Sequence, residues 1–399
     1  MIYFCSKLRI SQKKLNFKNL SFKRSLSKIH TLKYYIIAGE ASGDLHASNL
    51  MKAIKLKDPD ADFRFWGGDL MQNQGGTIVK HYRDLAFMGF LEVVQNLKTI
   101  LNNIKVSKKD IQEYKPDVLI LVDYPGFNLR IAKFAKELGI KVVYYISPQL
   151  WAWKEGRVET IKKYVDDMLV ILPFEKDFYR KHNVDAHFVG HPLLDAIEGL
   201  APVDIQKFKA ENKLGDKEII ALLPGSRKQE VTKMLDLMLS VRSQFAQYQF
   251  VIAGAPSLEK DFYEQFTDAD VHFVSNKTYD LLRSSKAALV TSGTATLETA
   301  LLNIPEVVCY KGSRISYEIG KRLIKNIKYI SLVNLIMDKE VVTELIQNDL
   351  TKENLVKELN KILNTEKRDQ VLNDYEILRS KLGGSGASTN AAEIIVNSK

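Results

Sequence analysis

Asp123 follows five unbroken apolar residues, Val118–Val122, and the stretch Asp123-Tyr124-Pro125-Gly126-Phe127-Asn128 then ends the run. Such a run reads as a strand buried on both faces. A carboxylate at its carboxyl end faces the crevice where open α/β sheets bind ligands, and can take a proton from an attacking hydroxyl. A structural cap is the alternative, although Asn128 is better placed to cap the next helix. A second chemistry is anion binding. Ile219–Leu223 is another buried run, stopped by Pro224 and Gly225, with Ser226 in an N-cap position and a helix expected from Arg227. Free N–H groups and the positive end of the helix dipole would point at an anion in this turn, and the planar Arg227 fork suits phosphate. The alternative is an ordinary strand–helix turn with a surface arginine. The pattern recurs at Thr291-Ser292-Gly293-Thr294, after the strand Ala287–Val290. That turn offers a second phosphate cradle with hydroxyls from Ser292, Thr294 and Thr296. Glu298, four residues into the helix, either reaches a ribose diol or is a surface glutamate.

These groups need strands that end at one rim. Tyr34–Ala38 is a strand running into Gly39-Glu40-Ala41-Ser42-Gly43-Asp44, with a helix from about Leu45 to Lys57. Strand, glycine turn and helix open a doubly wound sheet, but the spacing is not G-x-G-x-x-G, so a dinucleotide is not implied. Glu40 could hold sugar hydroxyls; Asp44 either joins it or caps a helix. Further strands are expected at Phe63–Trp66, Lys141–Ile146, Met168–Leu172, Phe250–Gly254, Val271–Val274 and Ile304–Tyr310. Trp151 and Trp153 either pack in a core or stack on sugar. His191, after a strand end, is a weak candidate for substrate contact. Asn334, the polar member of Ser331–Ile336, is either a satisfied core amide or a ligand contact. The apolar stretch Met88–Leu91, backed by Lys98, Lys105, Lys108 and Lys109, suits either an anionic bilayer or acyl chain, or a helix packed on the sheet. The helix expected around Arg314, Lys321, Arg322, Lys325 and Lys328 is either a surface helix or meets lipid phosphates.

Length predicts two domains, 33–200 and 205–380, joined near 199–204 and followed by a turn and helix at 381–399. The net charge of +10 is misleading. Nine Lys and Arg lie in residues 1–33, where there is no acid, and the rest of the chain carries about +1. Basicity is therefore no argument for nucleic acid. The basic stretch 1–32 resembles a transit peptide; a disordered tail or sequence upstream of the true start is also open, and the last is favoured. No apolar run is long enough for a transmembrane helix. Cys5 and Cys309 give no metal spacing. Walker A, H-E-x-x-H and Gly-x-Ser-x-Gly are absent from the sequence, and the Asp58/Asp60/Asp62 and Asp268/Asp270 patterns fall at strand starts, the wrong end for a metal–diphosphate site.

AGEASGD (38–44), SPQLWAW (147–153), LPFEKDFY (172–179), FVGHP (188–192), LLPGSRKQEV (222–231) and SGTATLE (292–298) occur in an order and at spacings that resemble the lipid-A-disaccharide synthase family. The resemblance runs from about Lys33 to the C-terminus. It implies a GT-B fold, two Rossmann-like doubly wound domains facing a central cleft, 33–200 on the acceptor side and 205–380 binding the UDP-sugar. It implies an inverting glycosyltransferase joining UDP-2,3-diacylglucosamine to 2,3-diacylglucosamine 1-phosphate, with no cofactor and no metal. It also implies a homodimer working peripherally at the cytoplasmic face of a bacterial inner membrane. Carried over by position, Asp123 resembles the general base. Gly225, Ser226, Arg227 and Glu230 would surround the diphosphate. Ser292, Gly293, Thr294 and Glu298 would hold phosphate and ribose, Asn334 would lie near the nucleotide, and Glu40 and Asp44 would face the sugars. Two positions depart from the family's pattern: Gly126 stands where a second Asp is common, and Ala47 where a glycine is common. The competing expectations are a UDP-sugar epimerase, a transferase with a soluble acceptor, or a non-catalytic nucleotide-binding membrane adaptor.

Overall fold

Two separate parallel sheets are built from the apolar runs. The computed structural model describes residues 31–84, 97–152, 155–226, 228–255, 258–268, 271–312, 328–363 and 365–397. Several expectations therefore lie outside the described residues: the leader to residue 30, Met88–Leu91, Trp153, Arg227, and Arg314, Lys321, Arg322 and Lys325 of the basic helix.

The first sheet contains β1 (Lys33–Ala38), β2 (Asp62–Gly67), β3 (Thr77–His81), β4 (Val118–Val122), β5 (Lys141–Tyr145), β6 (Asp167–Val170) and β7 (Ala186–Phe188). Their order is β3-β2-β1-β4-β5-β6-β7, all parallel. Helices α1 (Ala41–Lys57), α2 (Asp69–Asn73), α3 (Leu97–Tyr114), α4 (Pro125–Glu137), α5 (Val158–Tyr164), α6 (Pro173–Lys181) and α7 (Pro192–Glu198) accompany it. The second sheet contains β8 (Glu218–Leu223), β9 (Tyr248–Gly254), β10 (Val271–Ser275), β11 (Ser285–Thr291), β12 (Glu306–Tyr310) and β13 (Thr343–Ile346), ordered β10-β9-β8-β11-β12-β13 and again parallel. Its helices are α8 (Ile205–Glu211), α9 (Lys228–Leu239), α10 (Lys260–Glu264), α11 (Thr278–Arg283), α12 (Thr294–Leu301), α13 (Leu332–Met337), α14 (Lys352–Leu363) and α15 (Thr365–Lys381).

Both sheets are covered on two faces, which is why their central strands are continuous apolar runs rather than alternating ones. Every residue of β4 is buried. One layer under the first sheet gathers Ile36, Ile120 and Val143 with Leu50 and Ile54 of α1, and the opposite layer gathers Ile37, Leu121 and Tyr144 with Ile131 of α4. The buried Tyr35 keeps its hydroxyl bonded, as burial favours: it donates to Asp110 at 2.7 Å and accepts from the Trp66 indole at 2.8 Å. The final helix, α16 (Ala387–Asn397), does not stay with the second sheet. Its Ala391, Ala392 and Ile395 belong to the core beneath β1 and β4. Where the chain crosses back, the His191 N–H donates to the Leu382 carbonyl at 3.1 Å, and the Asp195 carboxylate accepts from Gly386 N–H at 2.6 Å and Ser388 N–H at 2.9 Å. An apolar joint unites Leu193 and Leu194 of α7 with Leu297, Val333 and Tyr375.

Three local differences from the sequence reading have simple causes. Helix α1 begins at Ala41, four residues before Leu45, because Glu40 is already an extended N-cap residue. Gly43 lies inside its first turn; a Cβ there would meet the Ala38 Cβ at 3.3 Å, so a small residue lets the helix start against the strand end. Strands β3 and β13 escape the sequence because both are edges: β3 is half-buried along its length and carries Lys80, so it lacks the solid apolar run. Asn128 is not a helix cap. It sits inside α4 and ties down the end of β4, as described next.

Candidate active site

Each sheet has one place where the strand order reverses, between β1 and β4 in the first and between β8 and β11 in the second. Crevices at such points are where open α/β sheets bind ligands.

In the first crevice, β4 delivers Asp123 and Tyr124, both in the left-handed region with φ of 44° and 49°. Two such residues in succession cost about 1–3 kcal/mol each, so the surroundings must hold them. The Asp123 N–H donates to the Tyr145 carbonyl at 3.1 Å. Its carbonyl accepts from Asn128 Nδ2 at 2.7 Å and from the Tyr144 hydroxyl at 2.6 Å. The main chain is thus fixed on both sides and the carboxylate is left for the crevice. Gly39 makes the close approach possible: a Cβ there would lie 2.5 Å from the Tyr124 ring. Burial, then the negative charge of Glu40, pushes the Asp123 carboxyl up to about 7, with the Tyr124 N–H opposing them. Glu40 and Asp123 are therefore neighbours, one raising the proton affinity of the other.

Asp44 is used differently from the expectation that it faces sugar. It is 3% exposed and accepts from the N–H groups of Gly68 (2.7 Å), Leu70 (3.1 Å) and Met71 (3.1 Å). It holds the start of α2 rather than that of its own helix. His191 is buried in the apolar joint, where Nδ1 accepts from Leu193 N–H at 3.2 Å and burial lowers its pKa to about 3. Trp151 meets Phe174 edge-on at 5.0 Å and packs on the same joint, so it is a core aromatic.

In the second crevice, β8 ends in Pro224 and Gly225, whose φ is 106°. A Cβ on Gly225 would approach the Glu230 carboxylate at 3.2 Å and Thr291 at 3.8 Å, so Glu230 folds back over the turn and the two turns are adjacent. Ser226 is exposed at the mouth. On the other side β11 runs into Ser292, whose N–H donates to Cys309 and whose hydroxyl donates to the Ile330 carbonyl at 3.4 Å. Gly293 and Thr294 are exposed, Gly293 caps α12 without a side chain, and a Cβ on Gly293 would meet nothing within 4 Å. Thr296 instead turns inward and donates to the Gly293 carbonyl at 2.9 Å. Glu298 is half-buried, with its pKa raised by burial, and its charge acts on the Tyr279 hydroxyl. Tyr279 was not a sequence candidate; its spacing from Glu298 carries no motif, and only the fold brings them together.

Asn334 is a correction. It is fully buried, and both ends of its amide are engaged within the chain. Nδ2 donates to the Val342 carbonyl at 2.8 Å and to Glu344 at 3.0 Å, and Oδ1 accepts from Val341 and Val342 N–H at 2.8 and 3.0 Å. Its side chain has no polar capacity left for a nucleotide. Glu344 also accepts from Ile330 and Ser331 N–H at 2.9 Å, so Asn334 locks the segment that supports Ser292.

Placed together, an Asp123 carboxyl raised to about 7 beside Glu40 and an open, glycine-lined helix start suit transfer of a group away from a phosphate leaving group. Comparison with known proteins agrees. A family model described as lipid-A-disaccharide synthetase matches residues 34–396. A lipid-A-disaccharide synthase from Syntrophus aciditrophicus (strain SB) is 42% identical over 366 residues, covering 90% of this chain and 95% of that protein. Among solved structures, the UDP-GlcNAc 2-epimerase from Neisseria meningitidis, solved with UDP-GlcNAc bound, superposes with a TM-score of 0.61 at 14% identity, covering 92% of this chain and 99% of that one. A kitacinnamycin glycotransferase gives 0.62 at 12% identity, with 92% and 98% covered. At these identities the structures speak for the GT-B-type fold alone.

Proposed function

The chain belongs to the lipid-A-disaccharide synthase family, and from that premise we propose how its two crevices divide the reaction. It is a glycosyltransferase of lipid A synthesis; the epimerase, soluble-acceptor and silent-adaptor readings are not favoured. The donor is UDP-2,3-diacylglucosamine and the acceptor 2,3-diacylglucosamine 1-phosphate. Asp123 takes the proton of the acceptor 6-hydroxyl as that oxygen attacks the anomeric carbon. The carbon–oxygen bond to UDP breaks with inversion, giving the β-1,6-linked disaccharide 1-phosphate and UDP. The leaving diphosphate lies against the turns at Gly225–Ser226 and Ser292–Thr294, where helix starts favour negative charge as it develops. The family resemblance assigns Arg227, outside the described residues, to the same diphosphate. Glu298 and Tyr279 flank the ribose. Glu40 has two roles: it faces the sugar and raises the basicity of Asp123.

The observation that carries this proposal is Asp123 itself. Its main chain is clamped in a strained conformation while its carboxyl titrates near 7, which matches the best proton affinity for a base working near neutrality. Asp123→Asn is expected to lower kcat by about 10²–10⁴-fold, with UDP affinity retained. Mass spectrometry of the products from both acylated substrates reads the first, and titration calorimetry with UDP the second. Undiminished turnover in the variant rejects the assignment.

No helix among the described residues is long and apolar enough to cross a membrane. Because both substrates are acylated, the proposal extends to peripheral association with the cytoplasmic face of the inner membrane, as a homodimer.

A further inference from the structure

Beside the Asp123 turn, α3, α4 and α5 enclose a groove of about 750 Å³, within the usual range of ligand sites. Its lining includes Tyr124, Pro125 and Gly126, the residues directly after Asp123. Ile100 and Ile104 of α3 and Phe127 and Leu129 of α4 give it an apolar floor. Four cations, Lys108, Arg130, Lys133 and Arg157, also line it, and no lining residue is acidic.

These cations are weakly committed elsewhere. Arg130 donates to the Gly126 carbonyl at 3.0 Å, leaving its other donors. Lys133 has a loose, mostly exposed contact with Glu137 at 3.9 Å, of the kind that contributes little. Lys108 sits over the Phe134 ring at 4.9 Å. Arg157 has no ion pair among the described residues, and its charge acts on the Tyr144 hydroxyl that holds the Asp123 carbonyl. An apolar floor under a cluster of cations without acids is complementary to an anionic amphiphile, not to a neutral sugar. Arg130 and Lys133, three apart on α4, share one face.

We propose that this groove is the acceptor site, and that Arg130, Lys133 and Arg157 grip the acceptor's phosphate while an acyl chain lies along Ile100, Ile104, Phe127 and Leu129. This rests on the assignment above of an acylated glucosamine phosphate as acceptor. With the 6-hydroxyl at Asp123, the part of the groove lined by Tyr124, Pro125 and Gly126 is the nearest along the chain to receive the rest of that molecule. The two arginines offer planar forks and Lys133 a point charge, and all three make charge-assisted hydrogen bonds that a neutral residue cannot replace.

The test uses the full-length protein and the double variant Arg130→Ala/Lys133→Ala, both solvent-side positions. Binding of 2,3-diacylglucosamine 1-phosphate and of its dephosphorylated counterpart is measured in neutral detergent micelles, with KM and kcat alongside. The variant is expected to bind the phosphorylated acceptor roughly tenfold or more weakly, one such contact being a tenfold effect or larger, and to bind the dephosphorylated one as the wild type does. KM for the acceptor rises correspondingly. Equal loss toward both acceptors, or loss toward neither, overturns the proposal. So does a variant that keeps acceptor affinity but no longer binds phosphatidylglycerol vesicles, which would make the cations a membrane contact. A wild type that binds the phosphorylated acceptor in the expected way yet forms no disaccharide would refute the transferase assignment and leave the groove standing.

Discussion

The two crevices share a topology and differ in chemistry. Both lie where a parallel sheet reverses its strand order, and both are flanked by glycine. In the first, Gly39 is covered by the Tyr124 ring, and the strand end presents two carboxylates, Glu40 and Asp123, the first raising the proton affinity of the second. In the second, Gly293 is open and exposed, Ser226 and Thr294 stand at the mouth, and the start of α12 has no side-chain cap. The fold sets where a ligand can lie, and the first residues after each strand set whether the place repels or attracts negative charge. Carboxylates at the strand end itself would make a poor diphosphate site, whereas in the second crevice Glu230 and Glu298 belong to the helices that follow and the strand ends carry glycine and hydroxyls. A transferase needs one of each.

The largest expected effect tests this division directly. Asp123→Asn removes turnover and leaves UDP binding, whereas a carboxylate placed in the second crevice should do the reverse. Gly293→Asp introduces a negative charge into open space, and its φ of 162° is extended backbone that any residue adopts. UDP affinity is expected to fall by roughly tenfold or more, since like-charge juxtaposition costs several kcal/mol. Gly126, equally open but in the first crevice, is the control: Gly126→Asp leaves UDP affinity unchanged. If both substitutions weaken UDP alike, the crevices do not divide the labour as described.

A smaller effect isolates the coupling within the first crevice. Burial is the larger reason that the Asp123 carboxyl titrates near 7, and Glu40 is the next. Glu40→Gln removes only the second. The acid limb of the kcat/KM profile, which rises as Asp123 loses its proton, should move to lower pH but stay above the ordinary carboxylate range. An unmoved limb would mean that another group sets it.

How much of this was legible in the sequence follows the same division. Asp123, Gly225 and Gly293 could be read because each follows a run of apolar residues that has only one plausible fate, a buried strand, so the next residue must lie at the rim. Asp44 and Asn334 could not be assigned, because their partners are distant or fall in unmarked segments. Asp44 bonds to residues 68–71, in a turn that the sequence shows only as Gly-Gly. Asn334 bonds to residues 341–344, at the start of an edge strand whose half-polar pattern gives no periodic sign. The acceptor groove was legible only through Lys108, in a basic stretch read as suited to an acyl chain or bilayer, and its other cations were hidden for a third reason. Its apolar floor and cationic wall come from three helices, each of which reads alone as an amphipathic surface helix with a solvated basic face.

The smallest effect concerns stability and has the opposite sign to the catalytic one. The Asp123 carboxyl titrates at about 7 in the folded chain against an ordinary 3.8, so the folded state holds this proton more tightly than the unfolded state. That contribution is fully present below the ordinary value and is lost as pH rises through about 7. At pH 8 the chain therefore folds with an ionised carboxylate beside Glu40, in a backbone conformation that asparagine tolerates better than most residues. Asp123→Asn should raise Tm at pH 8 by more than it does at pH 5. The pH-independent part reports relief of the left-handed strain, and the difference between the two pH values reports the charge. A gain of equal size at both would assign the whole effect to backbone strain and leave the electrostatic coupling to Glu40 without support. A loss at pH 8 would mean that the carboxylate stabilises the fold, which is incompatible with a group poised to act as a base.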